Sequence, residues 1–156
     1  MTTTPTSETW QNLSTDWITW AERLAPAAEK INRHMIETAD LKGLSAKRDG
    51  APLEVLDLAS GVGEPAFSFA RALGGGSEED QVNIPGVTGN VTASDIVPDM
   101  CDALMERASE EEISNIKAIP ANMENLPFAD QSFDVVSCRF GVMFCDDPDK
   151  ALREAF

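Results

Sequence analysis

Basic residues are scarce in this sequence. Its 156 residues hold 12 Lys and Arg against 27 Asp and Glu, a formal net charge of −15. Such a surface repels phosphate backbones and anionic headgroups, which argues against nucleic acid as a partner and against standing membrane attachment. Long apolar runs are missing too. None approaches the roughly 20 residues of a spanning helix, so no stable membrane insertion is expected. Met1 to Ser7 is rich in Thr and has no Lys or Arg, so it gives no basic start to a secretory leader. Cysteine is limited to Cys101, Cys138 and Cys145, whose odd number and wide spacing match neither a zinc pattern nor a disulfide framework. They read as reduced thiols of a cytoplasmic protein, packed as small apolar side chains, and no metal site is expected. Histidine occurs once, as His34. A lone helical histidine is more simply structural or solvent-facing than a catalytic base.

What is present suits one folded domain, with 42% hydrophobic and 25% charged residues. The acidic runs Glu78-Glu79-Asp80, Glu110-Glu111-Glu112 and Asp146-Asp147 are simplest as solvated loops or helix ends.

Residues from about Ser7 to Leu41 have helical periodicity. Trp10, Leu13, Trp17, Trp20 and Leu24 share one face. Pro26 divides this stretch in two, and Gly43 is a plausible C-terminal stop. Residues 1–43 are therefore expected as an N-terminal helical cap, and 44–156 as a second unit that begins with a polar linker, Ser45 to Pro52. Leu53 to Leu58 then forms an apolar strand that runs into Ala59-Ser60-Gly61-Val62-Gly63. A helix spans Glu64 to Leu73, with Pro65 in its first turn, where a missing N–H is harmless. A Gly- and acid-rich excursion leads to a second strand, Asn90 to Ser94, closed by Asp95. Pro98 to Ala108 is a helix, Ile116 to Ile119 a short strand, Phe133 to Cys138 a fourth strand, and Asp147-Pro148 opens a last helix. Apolar strands alternating with helices predict an α/β fold: a Rossmann-like parallel sheet, helices on both faces, preceded by the N-terminal helices.

Gly61-Val62-Gly63-Glu64-Pro65-Ala66 satisfies G-x-G-x-x-G/A between a strand and a helix. Alone it admits a dinucleotide site or a site for S-adenosylmethionine. Three neighbours favour the second. Asp57 stands beside the turn, Glu64 puts a carboxylate where a phosphate would sit, and Pro65 removes an N–H donor. Two like charges within ~4 Å repel by about 4 kcal/mol at a surface-like dielectric, whereas an ammonium and a sulfonium suit these carboxylates. Glu64 can also serve the helix dipole. Asp95, closing the second strand, can accept from both hydroxyls of a ribose; the plain alternative is a turn-forming Asp before Ile96.

At this point a family resemblance emerges. Val55-Leu56-Asp57-Leu58-Ala59-Ser60-Gly61-Val62-Gly63 resembles motif I of class I S-adenosylmethionine-dependent methyltransferases. Asp95 resembles their ribose-binding acid. Ala121-Asn122-Met123-Glu124-Asn125-Leu126-Pro127-Phe128 is similar to their adenine-covering stretch, and Ser132-Phe133-Asp134-Val135-Val136-Ser137-Cys138 to their fourth strand. Within that class the chain is similar to the ubiquinone/menaquinone biosynthesis C-methyltransferases, over about residues 53 to 156. It departs from many relatives at Asn122, where they have Asp.

The resemblance implies S-adenosyl-L-methionine as cofactor and methyl transfer to a small, apolar or aromatic acceptor. It implies cofactor contacts at Asp57, Ala59, Ser60, Gly61, Gly63, Asp95, Ile96, Asn122, Met123 and Arg139, with no catalytic residue assigned. It implies strand order 3-2-1-4, with three further strands of the family sheet lying beyond Phe156. The chain is thus expected to hold an incomplete domain whose fourth strand is an open edge for self-association. Two other functions remain: a cofactor-binding module without turnover of its own, and an NAD-dependent oxidoreductase domain. Phe140, Met143 and Phe144 either line an apolar acceptor site or pack the core or an interface. The three tryptophans form either a lid or plain core packing. Asp146 and Asp147 before Pro148 fit a helix cap more simply than a base.

Overall fold

The apolar runs become the strands of one sheet. The computed structural model describes residues 9–12, 28–75 and 83–156. Within them Leu53–Leu58 forms β1, Gly89–Asp95 β2, Ile116–Pro120 β3 and Val135–Cys138 β4. All three pairings are parallel, and the order is β3-β2-β1-β4, as expected. Residues 28–39 are helical (α1), followed by Leu41–Lys47 (α2), Ala66–Ala72 (α3), Pro98–Glu110 (α4) and Pro148–Ala155 (α5). Residues 9–12 are helical as well. Among the described residues no helix is long and apolar enough to cross a membrane.

A parallel sheet is covered on both faces, which is why β1 reads as a nearly continuous apolar run. Leu53 and Val55 of β1 join Val91 and Ala93 of β2 in one core. Ile36 of α1, Leu41 of α2, Phe67 and Phe69 of α3, and Leu104 and Ala108 of α4 pack into it. The alternate side chains point the other way. There Leu58 and Val136 border a cavity of about 370 Å³ with Ala151 and Leu152 of α5. Among the described residues β4 pairs with β1 alone.

Several boundaries differ from the sequence reading by a residue or two, and three differences have a local cause. Gly43 does not stop a helix. The break falls at Asp40, whose φ of 45° is left-handed, and α2 then runs through Gly43 to Lys47. Asp40 caps this new helix by accepting from the Gly43 N–H at 3.2 Å. A Cβ on residue 43 would fall 2.1 Å from that carboxylate, so the glycine serves the cap of a starting helix. The expected polar linker accordingly loses Ser45 to Lys47 to α2. Pro65 is not in a first helical turn: it follows a cis peptide bond and stands as the N-cap of α3, which begins at Ala66. β4 starts at Val135 instead of Phe133, because the Asp134 side chain turns back to accept from the Glu54 N–H at 2.8 Å. The expected break at Pro26 and the positions of Leu13, Trp17, Trp20 and Leu24 lie outside the described residues, as does Glu78-Glu79-Asp80.

Candidate functional site

The C-terminal ends of the strands carry the chemistry. The turn after β1 is left-handed at Ala59 (φ 52°), Gly61 (φ 54°) and Gly63 (φ 116°). Its N–H groups are spent internally. Ser60 N donates to Ser94 O at 3.0 Å and Gly63 N to Ser60 O at 2.9 Å. Gly61 N donates to Asp95 Oδ2 at 2.8 Å. A pyrophosphate cradle needs such donors free, and here three are committed. Val97 N donates to the other Asp95 oxygen, Oδ1, at 3.0 Å. Asp95 thereby ties the β1 turn to the β2 turn. Burial, the largest effect, raises its pKa above the ordinary Asp value, against the pull of these backbone donors.

Beside this turn opens a cavity of about 460 Å³, inside the roughly 300–1,000 Å³ of ordinary ligand sites. Ala59, Ser60, Gly61, Asp95, Ile96, Asn122, Met123 and Arg139 all line it. Asp57 and Gly63 do not. Gly63 lies against the Phe67 ring, where a Cβ would come within 2.1 Å, so its small size serves packing of the turn on α3. Asp57 is fully buried. Ser137 Oγ on β4 donates to its Oδ1 at 2.6 Å, and Oδ2 has no partner. Burial pushes this carboxyl up to about 7, against the Ser137 hydrogen bond and the nearby Arg139 charge.

Glu64 lines the cavity but is not a bare negative charge. Arg71 and Arg107 approach its Oε1 at 3.5 and 3.6 Å. Asn32 Nδ2 and Ser68 Oγ donate to its Oε2 at 2.9 and 2.7 Å. The two guanidinium groups reduce the repulsion that the sequence alone suggested for a phosphate; the committed N–H groups disfavour it instead. Arg139 donates from Nη1 to Asn32 Oδ1 at 2.6 Å, while its Nε is buried without a partner. Asn32, on α1, thus reaches the cavity wall from outside the sheet. The sequence reading missed it; its one signal is a polar residue four before Ile36 on an otherwise apolar face. Val97, Met100 and Cys145 also line the cavity unanticipated, and Glu124 lines it from within the expected adenine-covering stretch.

Phe140, Met143 and Phe144 stand on the cavity wall, with Phe140 63% and Met143 70% exposed, which removes those two from the core. Trp10 joins them, its ring edge-on to Phe144 at 4.7 Å between centroids. Gly141 lets this segment approach the β1 turn: a Cβ there would fall 2.5 Å from Ala59 Cβ. Asp147 is the N-cap of α5, accepting from Lys150 N at 2.9 Å. Asp146 instead lines the cavity, its N–H donating to Glu124 Oε1 at 2.8 Å. His34 is exposed on α1, 4.0 Å from Glu37, and is not part of the wall. Burial pushes the Cys101 and Cys145 thiols up to about 11 and raises that of Cys138, so none is a ready nucleophile. Among the described residues no three His, Cys, Asp or Glu gather as a metal site.

The sequence and the fold both have known relatives. Residues 29–156 match the ubiE/COQ5 methyltransferase family. The chain belongs to that family. Its cofactor is S-adenosyl-L-methionine. The chain is 35% identical over 119 residues to a ubiquinone/menaquinone biosynthesis C-methyltransferase of Nitrobacter hamburgensis, covering 76% of this chain and 42% of that one. A namesake from Haemophilus ducreyi is 36% identical over 104 residues, covering 66% and 36%. The chain therefore spans about two fifths of the length of such relatives. Among solved structures, the YcgJ protein of Bacillus subtilis superposes with a TM-score of 0.61 at 28% identity, over 79% of this chain and 43% of that one. A putative S-adenosyl-L-methionine-dependent methyltransferase of Methanococcus maripaludis gives 0.64 at 18% identity, over 99% and 59%, and at that identity speaks for the fold alone.

The residues present fit the cofactor. A strand-end carboxylate, a glycine turn open to close approach, the amide of Asn122, and a facing guanidinium and carboxylate share one cavity of sufficient volume.

Proposed function

We propose that this chain binds S-adenosyl-L-methionine in the 460 Å³ cavity and takes part in methyl transfer to a small apolar or aromatic acceptor. The observation that carries this is the division of one cavity into two chemistries. The Ala59–Gly61 turn, Asp95, Asn122 and Arg139 give its lining polar groups, and Trp10, Phe140, Met143 and Phe144 give it apolar ones. In this reading Asp95 holds the ribose, and Asn122 and Met123 lie against the adenine. Asp57 stays behind the wall and supports it through Ser137. When bound, the cofactor supplies an electrophilic methyl on a sulfonium. The chain's own residues orient the two reactants and exclude water, which is most of what such a transfer asks of the protein.

The relatives' names, ubiquinone/menaquinone biosynthesis C-methyltransferases, support acceptor carbon on a quinone precursor as the target class. The exposed apolar side chains beside the cofactor wall agree with such an acceptor. The scarcity of basic residues supports a small-molecule partner over nucleic acid, and the free thiols of Cys101, Cys138 and Cys145 support a cytoplasmic setting.

A second reading is a cofactor-binding module without turnover: the cofactor-side residues line the cavity, and none of its lining residues is assigned a chemical step. Incubation with methyl-labelled cofactor and a panel of small quinols and phenols separates the two. Label on acceptor carbon supports the transferase. Saturable cofactor binding without label in any acceptor supports the module.

A further inference from the structure

Asn32 touches two oppositely charged groups of the cavity wall at once. Its Oδ1 accepts from Arg139 Nη1 at 2.6 Å, and its Nδ2 donates to Glu64 Oε2 at 2.9 Å and to Ser68 Oγ at 3.2 Å. It is a buried residue, 5% exposed, on a helix that contributes Ile36 to the same core. The amide orientation is fixed by its neighbours, because only the oxygen can accept from a guanidinium and only the nitrogen can donate to a carboxylate. Both Arg139 and Glu64 line the cavity.

A buried amide costs free energy unless its hydrogen bonds are made, and these are made to charged partners, the stronger kind. Its effect is to hold a cation and an anion side by side on one wall. Glu64 finds its ion pairs with Arg71 and Arg107, and the carboxylate whose charge Arg139 feels is Asp57, buried behind the cavity wall. Arg139 Nε is buried and unpartnered, so the guanidinium has hydrogen-bonding capacity left over. A guanidinium and a carboxylate held at fixed separation complement an α-amino-acid zwitterion, which presents a carboxylate and an ammonium at fixed separation.

We propose that Asn32 is a positioning residue for the amino-acid end of the cofactor, setting Arg139 and Glu64 apart so that one meets the carboxylate and the other the ammonium. This rests on the cofactor reading given above. It makes α1 part of the binding site, although no atom of Asn32 needs to touch the ligand.

The test compares two ligands that share the adenosine and differ at the amino-acid end: S-adenosylhomocysteine and 5′-methylthioadenosine. Calorimetric titrations use the unaltered chain, Asn32→Ala, Arg139→Ala and the double variant, each with a thermal melt. The expected result is a loss of at least tenfold in S-adenosylhomocysteine affinity for each single variant. The affinity for 5′-methylthioadenosine stays within about twofold. The double variant is expected to be little worse than either single one, because Asn32 acts through Arg139. Equal losses for both ligands mean a general packing role and overturn the proposal, as does an Asn32→Ala protein that binds both as before. An unaltered chain that binds S-adenosylhomocysteine no better than 5′-methylthioadenosine overturns it too, while leaving the cofactor reading intact. An unaltered chain that binds neither ligand overturns both.

Discussion

Ser137 on β4 donates its hydroxyl to Asp57 Oδ1 on β1 at 2.6 Å, across a directly paired register position. The pair joins the strand that leads into the glycine turn to the strand that leads into Arg139. Asp57 is buried with its carboxyl pushed up to about 7, chiefly by burial. An unfolded Asp titrates near 3.9. Between these two values the native chain keeps a proton that the unfolded chain has lost, so stability falls as pH rises from about 4 to about 7 and levels off above. The slope is at most about 1.4 kcal/mol per pH unit. Asp57→Asn keeps an acceptor for Ser137 and removes the titration. Melting temperatures from pH 5 to pH 8 should therefore show the variant gaining on the unaltered chain as pH rises. Parallel profiles would mean that Asp57 does not titrate in this range.

The turn after β1 is sensitive to a single methyl group. Gly63→Ala combines a left-handed backbone at φ 116° with a Cβ only 2.1 Å from the Phe67 ring. It should cost at least about 2 kcal/mol. Gly74→Ala, equally left-handed at φ 87° but with nothing near its Cβ, should cost about 1 kcal/mol. Denaturant melts rank the two; equal losses would remove the packing role given to Gly63.

Asp95 holds two backbone N–H groups, one from each turn that borders the cavity. Asp95→Ala should weaken S-adenosylhomocysteine binding at least tenfold by calorimetry. Unchanged affinity would take Asp95 out of the ligand site.

Trp10 offers an optical check on the apolar wall, since it lines the cavity edge-on to Phe144. With Trp17 and Trp20 replaced by Phe, the remaining tryptophan emission should shift when S-adenosylhomocysteine is added. An unshifted spectrum under saturating ligand would place Trp10 away from the bound cofactor.

The strands were legible because a parallel sheet buries both faces and so writes itself as apolar runs, as at Leu53–Leu58, while their order was legible only through the family resemblance. The α4 and α5 helices were legible from Pro98 and Pro148, each at the start of a helix. Local signals misled where a side chain changed the meaning of a residue. Gly43 resembled a helix end until Asp40 proved to cap a new helix over it. Pro65 fitted a first turn but stands one position earlier. Most of the cavity wall was legible through family-like motifs. Asn32 was not, since its meaning depends on Arg139, 107 positions away, and on Glu64, 32 away. Contacts at such range leave no periodicity to read.

The most direct test of the account is a pair of calorimetric titrations of this chain, one with S-adenosylhomocysteine and one with NAD. The turn's committed N–H groups, the strand-end Asp95, and Glu64 and Arg139 on the cavity wall predict saturable binding of S-adenosylhomocysteine near one site per chain, and no binding of NAD. Saturable binding of NAD with none of S-adenosylhomocysteine, by a chain that melts cooperatively, would contradict it.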